Sequence, residues 1–130
     1  MNLLVVYSLL TLATSFNGVA GSSTVDPLIM AIIQVESGGD TLAHNIKEDA
    51  AGVLQIRPIM IAEVNRLIGK DIFTLEDRWN VHKSIEMFNV IRSHTQNPTN
   101  EKLARNWNGG WKGYKKQSTI KYWNKVRKLL

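Results

Sequence analysis

From Asp26 onward, apolar residues fall at helical spacing in a series of segments separated by polar or glycine-bearing breaks. The first segment is the most apolar, since Leu28, Ile29, Ile32, Ile33 and Val35 leave almost no polar face. Asp26 suits its N-cap, Pro27 its first helical position and Gly38-Gly39 its C-terminal stop. A helix with so little polar face is expected in the middle of the domain. Asp40 to Ala51 is polar and irregular, with Asn45 and Lys47-Glu48-Asp49 suggesting turns. The run Gly52-Val53-Leu54-Gln55-Ile56, taken alone, reads as a short buried strand with one exposed glutamine.

Pro58 opens a second helix with Ile61, Val64, Leu67 and Ile68 on its inner face and Gly69 at its end. A third helix is expected from near Thr74, capped with Asp77, with Val81, Ile85 and Phe88 facing inward. Gln96 to Asn100, with Pro98, reads as a loop. Thr99 or Asn100 then caps a helix through Leu103, Ala104 and Trp107 that stops at Gly109-Gly110. The last helix, from about Ser118, is expected to bury Tyr122, Val126 and Leu129. No repeat or low-complexity linker interrupts the series.

The stretch before Asp26 has a different character. Met1 to Ala20 holds no charged side chain, and Leu3 to Leu12 is an apolar run shorter than the roughly 20 residues that span a bilayer. Gly18-Val19-Ala20 offers small residues where a signal peptidase reads, so residues 1–20 are expected to be a signal peptide cleaved after Ala20, exporting the protein to the periplasm or beyond the cell. Without a Lys or Arg near Met1, an uncleaved membrane anchor or a buried first helix remain alternatives. Residues 21–130 are then one domain, long enough to bury about two-thirds of its unfolded surface. The chain has no cysteine, which excludes disulfides and thiolate metal sites, so an apolar core must hold it together. His44, His82 and His94 show no metal-ligand spacing, and no metal or cofactor is expected.

Charge is uneven. After Glu101 come nine Lys or Arg residues and no Asp or Glu. Such a face attracts polyanions over a Debye length of about 8–10 Å, which fits an anionic wall polymer or a membrane surface as well as a solvated face with no dedicated partner. Nucleic acid is not expected, because no nucleic-acid-binding motif is present and the leader directs the chain elsewhere. Trp107, Trp111, Tyr114, Tyr122 and Trp123 crowd into the same third, divided between packing and platforms for sugar faces.

Glu36 is the candidate acid, one residue before the end of the apolar first helix. The helix dipole there disfavours ionisation by only about 0.3–1 kcal/mol, so a useful acid needs a desolvated pocket, which the surrounding Ile, Val and Leu residues can supply. On helix spacing alone Glu36 reads as an ordinary surface glutamate before a C-cap.

Its neighbours change that balance. Glu36-Ser37, Gly52-Val53-Leu54-Gln55, Ala104-Arg105-Asn106-Trp107-Asn108-Gly109 and Thr119-Ile120-Lys121-Tyr122-Trp123 resemble, in order, four motifs of the soluble lytic transglycosylases. The resemblance runs from about Leu28 to Val126. It implies a lysozyme-like, mainly α (α+β) fold of about five or six helices around a buried central helix, with a small β-like excursion at Asp40–Ala51. Val53, Leu54 and Ile56 would divide between core and cleft wall, and Asn80 would fix packing.

The resemblance also implies a chemistry. Glu36 would protonate the β-1,4 bond between N-acetylmuramic acid and N-acetylglucosamine and then deprotonate the muramyl 6-hydroxyl, giving a 1,6-anhydro sugar without water. Ser37, Gln55, Asn108 and Tyr122 would position sugar and glutamate, with peptidoglycan strands as substrate and a monomer as the working form. The sequence departs from the family pattern at Leu54, which replaces a methionine, at Trp107, which replaces a tyrosine and its hydroxyl, and at Gly109. Two alternatives stay open. A hydrolytic lysozyme on the same fold would need an organised water and a second carboxylate, from Asp40, Glu48 or Asp49. A non-catalytic peptidoglycan-binding protein would keep only the basic face.

Overall fold

A computed structural model describes residues 25–130. The leader expected at 1–20 lies outside the described residues. The fold is mainly helical and lysozyme-like in plan, with α-helices α1 (Pro27–Ser37), α2 (Pro58–Ile68), α3 (Val81–Ser93), α4 (Asn100–Gly109) and α5 (Ile120–Arg127). A two-stranded antiparallel sheet, β1 (His44–Asn45) and β2 (Ala50–Ala51), rises between α1 and α2. No helix among the described residues is long and apolar enough to cross a membrane.

Helix α1 forms as its sequence indicates. The Asp26 carboxylate accepts from the Leu28 amide at 2.7 Å, and Gly38 closes the helix in the left-handed region at φ 64°. Leu28, Ile29, Ala31, Ile32 and Ile33 are buried, and α4 and α5 pack against the helix. Asp26 also pairs with Arg92 of α3 at 2.7 Å, so the start of the central helix is tied to another element.

The excursion is held from below by one arginine. Arg78, only 6 % exposed, donates from Nη1 to the backbone oxygens of Asp49 (2.8 Å) and Ile56 (3.3 Å) and from Nε to Leu75 (3.0 Å). Paired backbone bonds between Ala51 and Ile56 close Gly52–Gln55 into a tight turn. Val53, Leu54 and Ile56 are all buried, correcting the expectation that they divide between core and cleft wall. Only Gln55 of that run remains partly exposed.

Two helix expectations are also corrected. The Thr74–Asp77 capping box exists, but it opens a 3-10 turn, Leu75–Trp79, that ends at Asn80. Asn80, which is exposed, then caps α3 by accepting from the Lys83 amide at 3.0 Å, a capping role where packing was expected. Helix α5 runs Ile120–Arg127, so Leu129 falls beyond its end and is exposed, while Val126 is fully buried.

Candidate active site

Helix α1 delivers Glu36 to the floor of a polar cleft of about 240 Å³, lined also by Asn45, Glu48, Gln55, Arg57 and Asn108. Burial pushes the Glu36 carboxyl up to about 6. The hydrogen bond from Tyr122 and the positive charge of Arg57 oppose that rise, and the negative charge of Glu48 adds to it. The net effect follows from the apolar body of α1 behind the carboxyl: water is scarce there, so the charged form loses hydration that two favourable partners only partly replace. A carboxyl at about 6 exchanges its proton near neutrality, which suits a group that must give a proton and take one back.

Tyr122 reaches Glu36 from α5, donating from its hydroxyl to Glu36 Oε1 at 2.8 Å across 86 residues of chain. Burial and the Glu36 charge hold its phenol well above the usual tyrosine range, so it is a permanent donor.

Gln55 adopts φ 49° and donates from Nε2 to the backbone oxygens of Ala43 (3.0 Å) and Gly52 (2.9 Å). With both amide hydrogens used, what it offers the cleft is its Oε1 acceptor. Asn108, exposed on α4, also lines the cleft and brings both a donor and an acceptor. Ser37 does not line the cleft. Its hydroxyl lies 2.8 Å from the Val53 carbonyl and 3.1 Å from that of Ile33, and accepts from the Gly39 amide. It fastens the end of α1 to the Gly52–Gln55 turn. The structure thus brings Glu36, Gln55, Asn108 and Tyr122 together and stations Ser37 behind them.

Trp107, where the resemblance leads one to look for a tyrosine, donates its indole N–H to the Leu54 carbonyl at 3.1 Å. It is buried against Phe88, ring centroids 4.9 Å apart, and joins α4 to the back of the Gly52–Gln55 turn. Trp123 is partly buried against the core. Among the candidate second carboxylates, Asp49 is engaged by His44 (2.9 Å) and Arg78 (3.2 Å), and Asp40 closes a local turn on the Leu42 amide. Glu48 alone of the three lines the cleft. Sequence reasoning passed over Asn45 and Arg57. Arg57 was open to discovery, because it sits between the glutamine of one motif and the proline that opens α2.

Comparison with known families adds one finding: a family model described as Transglycosylase SLT domain matches residues 16–128. No curated protein and no solved structure matches the chain.

Proposed function

The chain belongs to the transglycosylase SLT domain family, and from that premise we propose that it cleaves the β-1,4 bond between N-acetylmuramic acid and N-acetylglucosamine in peptidoglycan, releasing a 1,6-anhydromuramyl end. The observation that carries this reading is Glu36, desolvated to a pKa of about 6 and held by Tyr122 at the floor of a polar cleft. Protonated Glu36 gives its proton to the glycosidic oxygen as the C1–O bond breaks. The substrate's acetamido oxygen shares the positive charge at C1. Glu36, now a carboxylate, takes the proton of the muramyl 6-hydroxyl as that oxygen bonds to C1, so the acid is restored and no water is consumed. Gln55 and Asn108 hold the sugar by hydrogen bonds, and Ser37 and Tyr122 act as positioning residues.

Digestion of purified peptidoglycan followed by mass spectrometry tests this. Anhydro-ended products, one water lighter than hydrolysed ones, are the expected result. Glu48 gives the hydrolytic alternative a specific footing, since it shares the cleft with Glu36 and is able to orient a water. Hydrated products would replace the transglycosylase reading with that one. A folded protein that releases neither would leave a wall-binding role.

Tyr122→Phe separates a positioning role from a packing one. Without the donated hydrogen bond, the Glu36 pKa rises further, so the alkaline limb of the pH–rate profile is expected to move up as the rate at the optimum falls about tenfold. A profile superposable on wild type after scaling would show that Tyr122 only fills space.

Members of this family act on peptidoglycan, which lies outside the cytoplasmic membrane, and export through cleavage after Ala20 is the route we propose, with 21–130 as the working domain and a monomer as its form. The exposed lysines of the basic third, among them Lys112, Lys115, Lys121 and Lys125, supply attraction to wall carboxylates and phosphates.

A further inference from the structure

Helix α5 gives one side to the site and the other to solvent. Val126 is fully buried, and Tyr122 reaches Glu36 from the same helix. Away from that side, Lys121, Lys125 and Lys128 are exposed at the spacing i, i+4, i+7, which at about 100° per residue puts them within roughly 60° of one another around the helix axis. Leu129 and Leu130 follow, each 51 % exposed. Both sit in an ordered turn, because the Leu129 amide donates to the Val126 carbonyl at 3.0 Å and the Leu130 amide to that of Arg127 at 3.3 Å. By the same angular step Leu129 lies roughly 40° from Lys125, at the edge of the lysine stripe.

The domain's own stability does not account for the stripe. Lys121, Lys125 and Lys128 enter no ion pair among the described residues, and no Asp or Glu follows Glu101 in the chain. Lys125 and Lys128 suit the negative end of the helix dipole. Lys121 instead stands in the first turn, where a cation is unfavourable, and it repels Lys125 at i, i+4. Anions from outside the molecule would relieve both costs. A soluble polyanion would use the charges and leave the leucines in water. A bilayer matches both, with anionic headgroups for the ammonium groups and the acyl-chain boundary for Leu129 and Leu130.

We infer that this outer face of α5, with Leu129 and Leu130, is a docking surface for a membrane that carries anionic lipid. The inference rests on the surface alone and not on the cleavage reading. Its consequence for the site follows from the shared helix: the element laid on the bilayer is the one whose Tyr122 holds Glu36, so docking fixes the attitude of the cleft relative to the membrane.

The test measures partitioning of the full chain onto vesicles of phosphatidylcholine alone and of phosphatidylcholine mixed with phosphatidylglycerol. Met1 to Ala20 holds no charged side chain, so any contribution of the leader cancels in the ratio of the two partition coefficients. Replacing Lys121, Lys125 and Lys128 together by glutamine, a good helix former at exposed positions, is expected to lower that ratio about a hundredfold, from about fivefold for each lysine. Salt at about 1 M, where the Debye length is about 3 Å, is expected to bring the wild-type ratio close to one. The chain has no cysteine, so Leu129→Cys can carry a single environment-sensitive fluorophore. Its emission is expected to shift to the blue on the anionic vesicles and to stay unshifted on soluble polyphosphate. Equal partitioning of wild type onto the two vesicles, or a ratio unchanged in the triple variant, would overturn the inference and leave a solvated face. A fluorophore that stays in water while the vesicles bind the protein would overturn it in favour of a surface for polyanions. None of these outcomes bears on cleavage, which is measured on peptidoglycan without lipid.

Discussion

Glu36→Gln is expected to reduce cleavage by about a thousandfold or more, since one group serves as acid and then as base and each role is worth about 10²–10⁴-fold. The same substitution is expected to raise stability at neutral pH. Burial lifts the Glu36 pKa from 4.5 to about 6, so the folded state binds this proton more tightly than the unfolded chain. The stability linked to that proton is complete below the unfolded value near 4.5 and is lost as pH rises through about 6. Above that pH, wild type carries a desolvated carboxylate that the variant's neutral amide replaces, a cost of about 1–2 kcal/mol after allowance for the partial exposure of the site. The amide still offers Tyr122 an acceptor oxygen, so the donated hydrogen bond survives. Denaturant unfolding at pH 4 and pH 8 would therefore show the variant matching wild type at the lower pH and exceeding it at the higher. Wild-type turnover should in turn fall about tenfold per unit above the pKa of the acid form. An active Glu36→Gln protein would remove Glu36 from the chemistry, and a variant less stable at pH 8 would show that its charge stabilises the fold instead.

What the sequence made legible and what it hid divide by the range of the interactions. The ends of α1 could be read directly, because Asp26, Pro27 and Gly38 act on amides and carbonyls within four residues of themselves. The Thr74–Asp77 box was equally local and equally readable, but a cap says where a turn starts and nothing of how far it continues. Asn80, a second cap, restarts the chain as α3. Glu36 and Tyr122 were recognisable only through motif order, since 86 residues separate them and no local signal joins them. Arg78 carried no such motif. Its bonds to Asp49 and Ile56 span 29 and 22 residues, and in the sequence it is one more basic residue beside a tryptophan. Trp107 stands between these cases: the missing tyrosine hydroxyl raised the question of where its hydrogen bond went, and the answer, the Leu54 carbonyl, required the packing of α4 against the turn. Ser37 shows the limit of a motif. Its place beside Glu36 marks it as belonging to the site, but only the fold reveals that its hydroxyl is occupied by backbone groups and that it is not part of the cleft lining.

Gly52→Ala is expected to destabilise the protein by at least about 3 kcal/mol, because its cost combines a forbidden contact with an unfavourable backbone. A Cβ at Gly52 would lie 1.9 Å from the Arg78 carbonyl oxygen, and the residue holds φ 78°, where a side chain itself costs about 1–2 kcal/mol. Neither partner is free to retreat. The Arg78 carbonyl accepts from the buried Ser84 hydroxyl at 3.1 Å, while its guanidinium is fixed to Asp49, Ile56 and Leu75. On the other side, the Gly52 amide donates to Ala43 at 2.8 Å, and its carbonyl accepts from the backbone and side chain of Gln55. The strain therefore passes into the turn that carries Gln55 and faces Glu36, so activity should fall with stability. Gly39→Ala is the control, because Gly39 also has positive φ, at 86°, but nothing lies within 4 Å of its added carbon. Thermal melts are expected to show a loss on the order of 10–20 °C for Gly52→Ala and only a few degrees for Gly39→Ala. Equal losses would mean that backbone conformation alone demands glycine at 52. The expected inequality would establish that the turn under the cleft is shaped by how closely it sits on Arg78, a buried residue outside the cleft lining.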